Sequence, residues 1–323
     1  MRCRLQVFFY GDKMGFLNAI PGAVAQGLIW GLMAIGLYIS YKILDIADLT
    51  VDGSICTGAC VLVALMTRGV SVYVCLLAAF LAGAVAGTVS GLFHTALGIP
   101  PILAGILTQL MLWSINLKIL GKANVPISSR TYDVLLSSAD NVRAIIVGAI
   151  VCALIIVVLW LFFYTEVGLT IKSTGDNEAM SKAQGINTSF NKVLGLAISN
   201  GIVALSGALL AQYQGFADIN MGRGAIVIGL AAIIIGLSIS LKIKPNFVVS
   251  LIGVVGGSII YYIVYTVVIF LGFDTDLLKM LSAVIVAVFL AVPYIKSRYF
   301  TKVKAQVAQP DGSEAETEGE DNA

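Results

Sequence analysis

Apolar residues run through this chain in long stretches separated by short polar breaks. A helix needs about 20 mostly apolar residues to cross a bilayer. Nine stretches approach or meet that length, at 16–40, 50–66, 70–93, 98–116, 143–164, 192–212, 223–240, 246–271 and 277–294. The pattern predicts an all-α protein, a polytopic membrane helical bundle of about nine spans, with eight and ten as its limits. Within the third stretch Ala79, Gly83, Gly87 and Gly91 recur every four residues. Gly195, Ser199 and Gly207 do something similar in the sixth. Such stripes let helix backbones approach closely where lipid supplies no hydrophobic drive.

Composition agrees. Of 323 residues, 59% are hydrophobic and 12% charged, against about 25% charged in soluble domains. No Pro/Ser/Gly-rich linker divides the chain, so one transmembrane domain is expected over 14–298. Residues 1–13 read as an N-terminal extension, without the core or cleavage site of a signal peptide. Residues 299–323 read as a disordered cytoplasmic tail. All six of its acids lie between Asp311 and Asp321, and every Lys and Arg precedes them. Lys296, Arg298, Lys302 and Lys304 follow the last stretch, a cluster that favours the cytoplasm. Alternation then puts the 165–191 loop on the same side. The five cysteines and the single His94 are scattered, so no metal site or disulfide framework is expected. Nothing suggests a catalytic site, a cofactor or a nucleic-acid partner.

Two segments look alike. Residues 47–58 read ADLTVDGSICTG and residues 217–229 read ADINMGRGAIVIG. Five predicted spans separate them, an odd number, so the copies enter the membrane from opposite faces. That predicts an inverted-topology repeat, a common construction for paths that open to either side. In each copy an Asp and then Thr50 or Asn220 precede an apolar helix, where short polar side chains cap free N–H groups. Asp48, Thr50, Asp52, Gln109, Asp218 and Asn220 are the candidate path residues. Capping at a water interface accounts for the same residues, and both readings stay open at this point.

The loop EVGLTIKSTGDNEAMSKAQGINTSFN, 166–191, predicts a short helix starting near Gly175, capped by Asp176 or Asn177 and ended by Gly185. About eight helical residues span ~12 Å. An exposed helix of that size has little to bury unless another protein receives it. The run GLTIKSTGDNEAMSKAQGIN resembles the cytoplasmic loop of permeases in the branched-chain amino acid and ribose permease superfamily of ABC importers. The segment GLMAIGLYISYKILDIADLTVDGS resembles the first spans of the same superfamily. Its DLTVDGS form is closest to a less characterised branch paired with amino-acid-type binding proteins. The resemblance covers about residues 16–295.

It implies a multi-pass subunit of a prokaryotic cytoplasmic membrane, forming the path for a small solute, an amino acid by preference. The implied partners are a separate ATP-binding subunit, an extracytoplasmic substrate-binding protein and a second permease subunit, a homodimer by preference. It also implies that Asp176, Asn177, Glu178, Ala179, Met180, Lys182, Ala183, Gly185 and Asn187 couple the permease to the ATPase. The sequence holds no G-x-x-x-x-G-K-[ST] phosphate loop, so an ATP-driven mechanism needs that other chain. The alternative is a secondary active transporter, which an inverted repeat suits equally. Such carriers often place ionisable groups inside their spans, and here Asp52 stands nearly alone.

Overall fold

The computed structural model describes residues 2–127, 132–240, 246–270 and six positions between 280 and 291, with side chains from residue 19 onward. Helix α1 (Arg2–Tyr38) runs into a π-helical turn, Ile39–Ile43. Then come α2 (Thr50–Met66), α3 (Val72–Thr95), α4 (Pro101–Leu120), strand β1 (Asn124–Pro126), α5 (Asn141–Phe163), α6 (Glu166–Asp176) and α7 (Glu178–Ala183). They are followed by α8 (Thr188–Gln214), β2 (Phe216–Asp218), α9 (Ala225–Ser240) and α10 (Phe247–Phe270). Among the described residues six helices are long and apolar enough to cross a membrane, while α2 and α9 are shorter apolar helices. The first eight predicted spans each coincide with one of these eight helices. The ninth, 277–294, lies largely outside the described residues, and the 299–323 tail wholly so. No break in α1 marks residue 13.

Helix ends follow local rules. Pro101 opens α4, where its missing N–H costs nothing. Gly121 and Gly215 close α4 and α8 in the left-handed conformation. Side chains of Asp140, Thr165, Asn177 and Asn187 each accept a first-turn N–H.

Packing centres on α1 and α8. Three serine hydroxyls donate to α1 carbonyls: Ser199 to Gly36 at 2.7 Å, Ser206 to Ile29 at 2.7 Å and Ser258 to Gly27 at 2.6 Å. The predicted small-residue stripe of α3 lies on α8. A Cβ at Gly83 would meet the Asn200 carbonyl and Ala204, one at Gly87 the Leu196 carbonyl, and one at Gly91 the Val193 backbone. Gly207 abuts the Ile55 backbone and Gly195 the Leu44 side chain. Outside this bundle, β1 and β2 pair antiparallel, Asn124 opposite Asp218 and Pro126 opposite Phe216. The sequence pattern did not predict that small ladder. It ties the α4–α5 connection to the segment leaving α8.

Candidate functional site

The link 44–49 returns the chain from α1 to α2, and it ends on Asp48, which is 2% exposed. Asp48 Oδ1 accepts the Thr50 N–H at 2.9 Å, fixing the first turn of α2. Its Oδ2 accepts from Asn200 Nδ2 at 2.6 Å. Asn200 is the thirteenth of 27 residues in α8, so α2 begins beside the middle of a long helix. Asn200 Nδ2 also donates to the Leu196 carbonyl, and its Oδ1 accepts from Ser54 Oγ at 2.6 Å. Thr50 Oγ1 donates to Ser90 Oγ at 2.9 Å. One buried polar network thus joins α2, α3 and α8. Each of these side chains has at least one hydrogen-bond partner, which is what makes burying such groups tolerable.

One turn further along α2, Asp52 reaches the similar segment at 217–229. Its Oδ2 accepts the Gly224 N–H and its Oδ1 the Ile226 N–H, both at 2.9 Å. A carboxylate there satisfies free donors and complements the α9 dipole. Cys56 Sγ accepts the Gly222 N–H at 3.1 Å. The N-termini of α2 and α9 therefore meet. Beside this junction lies a cavity of about 150 Å³, lined by Asp52, Gly53 and Cys56 of α2, by Gln109, Leu110, Trp113 and Asn116 of α4, and by Ile219 and Arg223.

The similar segment at 217–229 shares one detail with 47–58. Asp218 Oδ1 accepts the Asn220 N–H at 2.7 Å, as Asp48 accepts that of Thr50. Its other oxygen accepts from Asn124 Nδ2 at 3.3 Å, across the β1–β2 ladder. Asp218 does not cap α9, contrary to expectation. The turn through Gly222 and Gly224 (φ +87°) delays the helix to Ala225, and the cap comes from Asp52 instead.

The polar loop folds as two helices rather than one. Residues 166–176, expected as connection, form α6, and Gly175 lies in the last turn of that helix instead of starting the next. A Cβ at Gly175 would collide with the Ile43 carbonyl. Asn177 is the cap of α7, its Oδ1 accepting the Met180 N–H at 3.0 Å. Gly185 sits at φ +79°, the left-handed turn anticipated for it. Ala179, Met180 and Ala183 are exposed together with Asp176, Asn177, Lys182 and Asn187. Glu178 turns inward: it pairs with Lys192 of α8 at 2.8 Å and with Lys182 at 2.9 Å. Hydrogen bonds from Lys192 and then Lys182 hold its carboxyl down to about 2, so it stays ionised at every physiological pH. Ser181 is buried and bonded to Ser173 of α6 at 2.8 Å. Asn191 Nδ2 donates to Thr174 Oγ1 at 3.0 Å. The loop is thus fastened to α8 and α6 while one apolar face of α7 stays free.

Residues 20–293 match the family model described as branched-chain amino acid transport system / permease component. The chain belongs to this family. The permease is a membrane subunit of an ATP-binding cassette importer and is integral to the cytoplasmic membrane. It is 40% identical to a tyrosine transport system permease protein of Clostridioides difficile strain R20291, over 85% of this chain and 91% of that one. It is 33% identical to the uncharacterized protein RP368 of Rickettsia prowazekii, over 85% and 98%. The autoinducer 2 import system permease protein LsrC of Salmonella paratyphi B is 27% identical over 52% of the permease and 49% of LsrC.

The six candidate path residues fall into three places. Asp48 and Thr50 sit in the buried network, Asp52 and Gln109 line the cavity, and Asp218 and Asn220 form the turn after β2. Sequence reasoning missed Asn200, Ser54 and Ser90. An asparagine in mid-span is an expensive residue to bury, and that was the signal available for Asn200. Among the described residues no group of three His, Cys, Asp or Glu is placed to hold a metal.

Proposed function

We propose that this permease carries an amino acid, tyrosine or a near relative, delivered by an extracytoplasmic binding protein. The observation that carries the substrate is the 40% identity, over most of both chains, to a tyrosine transport permease. Two copies pair in the membrane and a separate ATPase drives them. In cells lacking other tyrosine uptake, the complete importer should accumulate labelled L-tyrosine, and excess L-phenylalanine should compete while ribose should not. Accumulation of ribose or a nucleoside in place of any amino acid would refute this assignment.

The bundle has nine spans in this reading, with the 47–58 and 217–229 segments as inverted repeats. The matching Asp48–Thr50 and Asp218–Asn220 turns support it, as does the meeting of the α2 and α9 N-termini. Discontinuous helices whose N-termini converge suit a transport path near the bilayer midplane. Asp48, Thr50, Asp52, Gln109, Asp218 and Asn220 border that path from its two sides.

The segment from Asp176 to Asn187 seats in the ATPase. Ala179, Met180 and Ala183 supply the contact, and Glu178 clamps the helix to α8 through Lys192. Closure of the ATPase dimer on nucleotide would move α7. The Glu178–Lys192, Ser181–Ser173 and Asn191–Thr174 contacts would deliver that motion to α6 and α8. Gly175 and Gly195 pass it to Ile43 and Leu44, and so to the link that ends on Asp48. The same reading places α7 in the cytoplasm. A cysteine at the exposed Ala183 should react with an impermeant maleimide only after the membrane is opened. Reaction in sealed cells would reverse the orientation.

A further inference from the structure

The cavity between α2 and α4 holds a feature that packing alone does not explain. Asn116 is fully buried and lines it, yet among the described residues neither its Nδ2 nor its Oδ1 has a hydrogen-bond partner. A buried carboxamide left unpaired destabilises a fold, and such groups are normally satisfied. Leucine would fill similar space without that penalty. Gln109, Trp113 and Asn116 stand at i, i+4 and i+7, one face of α4, turned toward Asp52 across the cavity. Asp52 accepts from the backbone N–H groups of Gly224, Ile226 and Ala225, and a carboxylate offers roughly four lone pairs, so room remains for a further donor. Arg223 also lines the cavity. Among the described residues its guanidinium makes no ion pair.

From these groups we infer that the cavity is a subsite for the head group of a zwitterionic α-amino acid in transit. One carboxylate, one guanidinium and a carboxamide with both donor and acceptor free match one ammonium and one carboxylate. The ammonium lies toward Asp52 and the Asn116 carbonyl. The carboxylate lies toward Arg223 and the Asn116 amide. A volume of about 150 Å³ takes a head group and leaves the side chain against Trp113, whose partly exposed indole forms the mouth. A sugar needs neither charge, and an anion without an ammonium meets Asp52. This assignment rests on the amino-acid reading above.

The test uses the complete importer, with labelled L-tyrosine as probe, and compares Asn116→Leu and Arg223→Gln with wild type. Each should lower uptake by about tenfold or more, the effect of losing a hydrogen bond to a charged group. Membrane abundance should not change, and the thermal midpoint of Asn116→Leu should hold or rise because an unpaired amide is gone. If wild type imports tyrosine and both variants match it, the subsite is wrong while the amino-acid reading stands. If Asn116→Leu instead lowers the thermal midpoint along with uptake, Asn116 is structural and the subsite is again refuted. If wild type imports no amino acid, both assignments fall together.

Discussion

Gly87→Val should sharply lower accumulation of the folded permease, whereas Val85→Leu on the same helix should leave it unchanged. At Gly87 a Cβ would enter the Leu196 carbonyl and press on the Asn200 side chain. Backbone cannot move aside as a flexible side chain can, so α3 would have to leave α8. That separation opens the contact along the whole stripe and unseats Asn200 from Asp48. Overpacking in a tight core typically costs 1–3 kcal/mol, and a main-chain collision with loss of a buried polar network takes it to about 3 kcal/mol or more. Domains are stable by only about 5–15 kcal/mol. Val85 is 63% exposed, so one more methylene there displaces nothing within the chain. Size-exclusion of fluorescently tagged protein in mild detergent reads both variants. A monodisperse Gly87→Val peak at wild-type yield would contradict the packing described.

The other large effect is expected at the loop. Ala179→Arg should leave the permease folded but disconnect it from the ATPase, with tyrosine uptake falling by about two orders of magnitude, as when a charge is buried at an interface core. Ala179 is exposed and buries nothing within this chain, so the variant has no reason to unfold. Placed in a cleft, however, a guanidinium next to Met180 and Ala183 would lie where small apolar groups are needed. Gly185→Val attacks the same element by another route. A β-branched residue at φ +79° is strained by about 1–3 kcal/mol, and the turn that returns α7 to α8 would shift. The Glu178–Lys192 pair then loses its register, so coupling weakens even with the contact face intact.

Much of this architecture was legible from the sequence because lipid imposes a one-dimensional pattern. Eight predicted spans became eight helices, and the α3 stripe predicted a close crossing that α8 fills. Gly185 was readable because only a few residue types tolerate its backbone. What escaped was set by contacts distant in sequence. The α6 segment, with Gly168, Gly175 and several β-branched residues, has weak helix propensity. It is held by the buried Ile171, by the Asn191–Thr174 bond and by the Gly175 contact with Ile43. Local capping rules suggested that Asp218 starts α9. The cap comes instead from Asp52, some 170 residues earlier in the chain, and no local rule carries that information. Glu178 looked like a docking charge because Lys192 lies fourteen residues away, and only the fold brings the two together. Asn200 and Asn116 illustrate the same limit. The sequence shows a polar residue in an apolar run, but only the structure shows that one is fully bonded and the other is not.

ATP-driven movement through the 176–187 element is tested directly by tyrosine uptake in proteoliposomes holding the permease, its ATPase and the binding protein. Uptake should require ATP inside the ATPase-facing compartment, stop with vanadate, persist when ionophores collapse proton and sodium gradients, and vanish in Ala179→Arg together with substrate-stimulated ATP hydrolysis. Uptake by the permease alone, driven by an ion gradient without ATP and equal in wild type and Ala179→Arg, would contradict the account.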